Sequence, residues 1–173
     1  MATNRGKQFE GVVHKCFASV PDTSVTRLKD DTMHKKGVAN PCDFLVFHKP
    51  YLYAIECKSV HGNTLSIYSK SKDIKHPHDY GNITNKQWEG LLEMSLVKGV
   101  FAGILCWWVN KDVTMFIPIQ MLKAIRDSGA KSVRYDCDMF TDGTRMFTAT
   151  QLTGRKKRIL FEYDVAKFFK EME

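Results

Sequence analysis

The chain has 173 residues, of which 43% are apolar and 12% aromatic, enough to bury a sizeable core and to exclude a disordered or fibrous chain. The length suits a single domain over residues 1–173. A net charge of +7 points to an acidic partner, with nucleic acid first, and gives no reason to expect an acidic or membrane-embedded protein.

The first residues, Met1 to Lys7, lack the apolar stretch of a signal peptide and form a loose basic arm carrying Arg5 and Lys7. Lys7 to Ala18 reads as a helix, with Phe9, Val12, Val13, Cys16 and Phe17 as its apolar stripe. Glu10 lies on the edge of that stripe, either as a solvated flank residue or as a carboxylate aimed into the domain. Pro21-Asp22 starts a turn, and Ser24 to Leu28 is a short strand with Arg27 near its end. Lys29 to Asn40 is a polar loop.

The stretch from Asp43 to Lys58 carries the chemistry. Two runs rich in Val, Phe, Tyr, Leu and Ile flank Lys49-Pro50, the pattern of an antiparallel hairpin. With the turn centred on Lys49 and Pro50, His48 faces Tyr51 and, counting outward, Asp43 faces Glu56. Directly opposed residues have Cβ atoms roughly 4.5–5.5 Å apart, and Lys58, two residues on, shares the face of Glu56. Leu52, Ala54, Glu56 and Lys58 form one face of the second strand; Tyr51, Tyr53, Ile55 and Cys57 form the other. Two carboxylates held together repel unless a proton or cation sits between them. A hard divalent cation fits such oxygens, and a lysine beside it can hold a water or steady a developing anion. The bland account is an exposed ion pair of Glu56 with Lys58, and Asp43 as a turn residue.

Leu65 to Tyr68 predicts another strand, followed by a basic loop with Lys70, Lys72, Lys75, His76 and His78 that suits a phosphate backbone. Thr84-Asn85-Lys86-Gln87 is a capping box opening a helix to Lys98, with Gly99 as its stop. Taken blandly, Gln87 is only that cap. Val100 to Val109 is a continuous apolar run, the mark of a buried central strand and too short to span a bilayer. Val113 to Ile117 is a strand, and Pro118 begins a helix closed by Gly129. Arg145 to Leu152 reads as a further strand, Gly154 to Arg158 as a basic loop with a possible backbone-binding role, and Asp164 as the cap of a last helix with Val165, Phe168 and Phe169. The five cysteines (Cys16, Cys42, Cys57, Cys106 and Cys137) are odd in number and include no C-x-x-C pair, which fits reduced thiols in a cytoplasmic protein. The alternation of strands and helices predicts an α/β fold, a mixed central sheet of about five strands flanked by helices.

This order of elements, with Glu10, Asp43, Glu56-x-Lys58 and Gln87 at its marked points, resembles the PD-(D/E)XK nuclease superfamily and its restriction-endonuclease-like sheet. Asn4-Arg5-Gly6-Lys7 with Phe9-Glu10, Asp43-Phe44, Ile55-Glu56-Cys57-Lys58, Asn85-Lys86-Gln87, Phe116-Ile117-Pro118 and Lys131-Ser132-Val133 resemble segments of RecU-type Holliday junction resolvases. The resemblance implies a homodimer that cuts four-way DNA junctions symmetrically with Mg²⁺, for which Mn²⁺ can substitute. It implies Asp43 and Glu56 as metal ligands, with Cys57 between the motif's charged residues in the metal set. Lys58 would position the attacking water or steady the phosphorane charge, Glu10 would support the metal shell, and Gln87 would orient groups near the lysine. Arg5, Lys7 and Arg27 are the implied DNA contacts, joined by Lys70, Lys72 and Lys75 from the basic loop. Cys42 and Cys57 depart from the small or apolar residues common at their positions. Bacterial RecU proteins carry a protruding stalk where this chain has only Lys29 to Cys42, a departure that a phage-encoded relative would accommodate. Two other functions would use the same residues: a restriction-like or repair endonuclease on duplex or branched DNA, and a DNA-binding structural protein whose acidic pair no longer cleaves. Intact Asp43, Glu56 and Lys58 argue against the last.

Overall fold

The computed structural model describes residues 5–28, 40–67, 82–137, 148–158 and 161–173. Its elements are α1 (Arg5–Ala18), β1 (Thr23–Arg27), β2 (Phe44–His48), β3 (Tyr51–Val60), β4 (Thr64–Ser66), α2 (Asn85–Ser95), β5 (Val100–Trp108), β6 (Val113–Pro118), α3 (Ile119–Asp127), β7 (Ser132–Arg134), β8 (Thr150–Gln151), β9 (Gly154–Lys156), β10 (Phe161–Tyr163) and α4 (Val165–Met172). Six strands form the central sheet in the order β1-β2-β3-β5-β6-β8, and β4–β7 and β9–β10 form two small ribbons. The expected mixed sheet with helices is present, with one strand more than the sequence pattern counts. The additional pairing is at the rim, where only Thr150 and Gln151 of the predicted 145–152 strand join β6; positions 145–147 lie outside the described residues.

The β2–β3 hairpin has the register expected from its turn, with Phe44 opposite Ile55 and His48 opposite Tyr51, around a cis Lys49–Pro50 peptide. β3 then pairs with β5 in parallel, from Leu52 with Val100 to Val60 with Trp108. Parallel neighbours need a crossover, which passes through α2. Both central strands are covered on both faces, which explains their near-continuous apolar sequences. On one face Ala54, Ile104, Cys106 and Trp108 pack with Trp88 and Leu91 of α2 and Leu122 and Ile125 of α3. On the other, Tyr53, Ile55, Cys57, Leu105 and Trp107 pack with Phe9, Val13 and Phe17 of α1 and Phe168 and Phe169 of α4. Glycine is needed at position 103 of β5: a Cβ there would fall 2.3 Å from the Ile117 carbonyl oxygen of β6.

The helix ends follow their sequence signals. Thr84 Oγ1 accepts from the Gln87 N–H at 3.3 Å, and the Gln87 side chain accepts from the Thr84 N–H at 3.0 Å, completing the capping box. α3 closes on Gly129 at φ +92°, with Gly129 N–H donating to Arg126 and Ala130 N–H to Ile125, a Schellman end. The Asp164 side chain accepts from the Lys167 N–H and opens α4. Gly154 to Lys156 departs from the expected loop: it is a strand, paired with Phe161 to Tyr163. A run of cations is a poor strand signal, and the pairing partner lies beyond the cluster, so the ribbon is invisible to a local reading. Among the described residues no helix is long and apolar enough to cross a membrane, and all five cysteines are free thiols.

Candidate active site

The paired end of the β2–β3 hairpin is where the charged residues gather. Asp43 stands one residue outside the last ladder pair. Its N–H donates to the Ile55 carbonyl at 3.1 Å and its own carbonyl accepts from the Leu28 N–H at 2.8 Å. That main-chain anchoring aims its side chain back at β3, where Oδ2 accepts from the Cys57 N–H at 2.7 Å. The aspartate is thus fastened between Glu56 and Lys58, as the hairpin register requires.

Glu56 is 4% exposed, which makes it and Thr114 the buried polar residues of the described chain. The exposed strand-end ion pair of the bland account is therefore excluded. Lys58 Nζ lies 2.9 Å from Glu56 Oε1 and remains 19% exposed, so the ammonium bridges a buried carboxylate and the solvent. Gln87 completes the set. Its Nε2 donates to Glu56 Oε1, and its Oε1 accepts from Lys58 Nζ at 3.3 Å while also accepting from Thr84 N–H. One amide thus serves both the helix cap and the charged pair. The sequence marks Gln87 as a cap; it holds no sign of the second role apart from the resemblance.

Burial pushes the Glu56 carboxyl up to about 7; Lys58 pulls it back, and the neighbouring Asp43 and Glu10 charges add to the rise. A carboxylate so disfavoured, with two further carboxylates within electrostatic reach, is short of positive charge. Cys57 does not remedy this with its thiol. The side chain points to the opposite face, among Phe9, Leu105 and Trp107, and burial holds the thiol well above its usual range. Cys42 is likewise buried and pushed up to about 12 by desolvation, with Glu56 and Asp43 adding to the rise. Neither cysteine offers a thiolate near neutral pH.

Glu10 is aimed toward this region rather than left as a free flank. It forms an ion pair with Arg27 Nη2, and the Arg27 guanidinium stands 5.9 Å from the centre of the Phe44 ring. Arg27 is half exposed, a cation held in place at the rim of the acidic centre. Arg5 and Lys7 lie exposed on the first turn of α1. Lys70, Lys72 and Lys75 lie outside the described residues. The structure therefore brings together Asp43, Glu56, Lys58 and Gln87, with Glu10 and Arg27 beside them. Among the described residues no group of three or more His, Cys, Asp or Glu side chains is placed to hold a metal ion.

Such a set can orient a water, take up or release a proton at Glu56 near neutral pH, and place a lysine cation beside an anion. No protein-family model and no curated protein matches this sequence. Among solved structures, the Holliday junction resolvase Hjc of the archaeal hyperthermophile Archaeoglobus fulgidus is similar to it at 19% identity, over 67% of this chain and 78% of that one, with a TM-score of 0.44. A likeness of that size carries no argument about chemistry, which rests on the side chains described above.

Proposed function

We propose that the chain is a metal-dependent endonuclease that resolves four-way DNA junctions by symmetric phosphodiester hydrolysis. The observation that supports this best is the buried Glu56 carboxylate on central strand β3, gripped by Lys58 and Gln87 beside Asp43 where the β2–β3 ladder ends. A buried acid with an upward-shifted carboxyl contributes nothing to stability near neutral pH, and groups of this kind cluster at catalytic sites.

The donor set fits a hard divalent cation, Mg²⁺ or Mn²⁺. Asp43 and Glu56 offer carboxylate oxygens, and with the Cys57 thiol turned away that residue can lend only its main-chain carbonyl. Two carboxylates do not make a closed cage, but Mg²⁺ is commonly held by one or two carboxylates with waters and substrate phosphate. When bound, such an ion would neutralise charge on the scissile phosphate and acidify its water. The chain's own residues do the rest. Lys58 Nζ, at the solvent edge of the pair, places a cation beside the attacking water or the developing phosphorane charge. Gln87 fixes the rotamers of Glu56 and Lys58, and Glu10 holds Arg27 where a phosphate could meet it. Arg5, Lys7 and Arg27, with Lys70, Lys72 and Lys75, form the DNA-contact set of this proposal. A junction needs two opposed nicks, and a twofold homodimer would supply two identical sites.

The deciding experiment compares four-way junctions, linear duplex and flaps, each with Mg²⁺ and with a chelator. Cutting of the junction in paired strands, dependent on Mg²⁺, is the expected result. Equal cutting of linear duplex would replace junction resolution with a restriction-like or repair activity. DNA binding with no cleavage of any substrate would leave a structural DNA-binding protein.

A further inference from the structure

The β9–β10 ribbon stands outside the central sheet, and its first strand buries nothing: Gly154, Arg155 and Lys156 are all exposed. Lys157 and Arg158, which continue the run, are exposed as well. Four consecutive cations repel one another, and among the described residues two of them have close carboxylates. Lys156 pairs with Asp112, and Lys157 with Glu162 at 2.7 Å. Arg155 lies opposite Glu162 in the ladder, sharing the acid that Lys157 already holds. Against its described partners, Asp112 and Glu162, the cluster therefore keeps a net positive charge.

The ribbon's inner face explains its position. Tyr163 is buried, its hydroxyl 2.9 Å from Thr114 Oγ1 and its ring set edge-on to Phe9 of α1. Phe9 in turn packs on Trp107, which pairs with Ser59, one residue beyond Lys58. Asp112, the partner of Lys156, follows the same end of β5. With Tyr163 turned inward, ladder alternation turns its neighbour Glu162, and with it Arg155 and Lys157, to the outer side. The ribbon is thus tied to the same end of the sheet as Lys58, through the opposite face that packs Phe9 and Trp107, and it presents its excess charge to solvent.

We infer that the β9–β10 ribbon is a second contact for the DNA phosphate backbone, using Arg155 and Arg158 and separate from the Arg27 side of the acidic centre. Guanidinium groups suit phosphate because their planar donors can engage two oxygens at once. A contact of this kind positions the duplex and reads no sequence, so it strengthens binding to a junction arm and to linear duplex alike. It rests on the nuclease function proposed above, and the test keeps the two apart.

The test uses the double variant Arg155→Gln/Arg158→Gln in the full chain, which leaves the Lys156–Asp112 and Lys157–Glu162 pairs in place. Binding to a fluorescent four-way junction and to linear duplex is measured in chelator over a salt series, beside a thermal melt. Each lost phosphate contact lowers the slope of log affinity against log salt by about 0.9, so a reduction near 2 is expected for both DNAs. The charge-keeping variant Arg155→Lys/Arg158→Lys should retain most of the wild-type slope. If wild type binds and the double Gln variant matches it in affinity and slope, the ribbon is not a DNA contact, whatever the fate of the nuclease function. If wild type binds neither DNA, the nuclease function falls first and the ribbon contact with it. A Gln variant that binds weakly but melts well below wild type is judged by the Lys variant: retained slope with a normal melt supports the contact, and a slope lowered to the Gln level overturns it.

Discussion

Two lysine–carboxylate pairs in this molecule differ mainly in their surroundings. Lys123 and Asp127 pair across one turn of α3, with side chains 48% and 59% exposed. Lys58 and Glu56 pair along β3, with side chains 19% and 5% exposed, and share the Gln87 amide. Water screens the first pair and competes for both of its members, so it contributes almost nothing. The second has lost water on the carboxylate side and keeps it on the ammonium side. Its carboxyl is pushed up to about 7, mainly by that loss of water. The same kind of lysine–carboxylate contact is thus neutral decoration on α3 and a tuned acid on β3. The difference comes from the sheet, which covers one end of the pair and leaves the other open.

The largest effect should come from breaking the tuned pair. Glu56→Gln keeps the size and the Gln87 contact region but removes the charge a cation would need. Junction cleavage should nearly vanish while metal-free DNA affinity holds or rises, because one carboxylate no longer repels phosphate. Lys58→Ala leaves both carboxylates but removes the positioned cation, so turnover should fall by on the order of a hundredfold or more. Single-turnover cleavage beside junction affinity checks both. Wild-type cutting by the two variants would remove Asp43, Glu56 and Lys58 from any active site.

Stability should respond next, in a direction set by the sign of the shift. The Glu56 value in the folded chain lies above its ordinary 4.5, so the folded protein binds that proton more tightly than the unfolded one. The stabilisation from this group is full below about pH 4.5 and is lost as pH rises to about 7. A shift of that size corresponds to roughly 3 kcal/mol. Melts of metal-free protein over that range should show the loss, and Glu56→Gln should flatten it and stabilise the protein at pH 8. Excess Mg²⁺ should also restore stability at pH 8 if it binds the folded site alone. A pH-independent difference between wild type and Glu56→Gln would mean that Glu56 is not held in this buried state.

The smallest effect belongs to α3. Lys123→Ala should change stability by no more than about 0.5 kcal/mol and leave cleavage unchanged. A large loss of activity from that substitution would mean that exposure is a poor guide to which pair matters here.

Much of the centre can be read from the sequence because its geometry is local. The Lys49-Pro50 turn sets the hairpin register, and the register places Asp43 against β3. Alternation puts Glu56 and Lys58 on one face, and Thr84-x-x-Gln87 marks the start of α2. What cannot be read depends on tertiary packing. Burial of Glu56 needs both faces of β3 covered, which no window of the sequence displays. The Glu10–Arg27 pair joins α1 to β1, and the second role of Gln87 joins α2 to β3. The β9 strand is hidden for another reason: its cations carry little strand preference, and its ordering comes from Tyr163 anchoring the partner strand on Phe9 and Thr114.

The Gln87 amide ties helix fraying to one bridge of the site. First turns of helices open more readily than the body of a fold, at a free energy well below global unfolding. When the first turn of α2 opens, Thr84 and Gln87 release each other, and in the same motion Lys58 and Glu56 lose their shared bridge. The Gln87 bridge is then coupled to this local opening, while the direct Lys58–Glu56 and Asp43–Cys57 contacts depend on the sheet. Hydrogen exchange at the Gln87 and Trp88 amides, which donate to Thr84 across that turn, would report on how often the Gln87 bridge is intact.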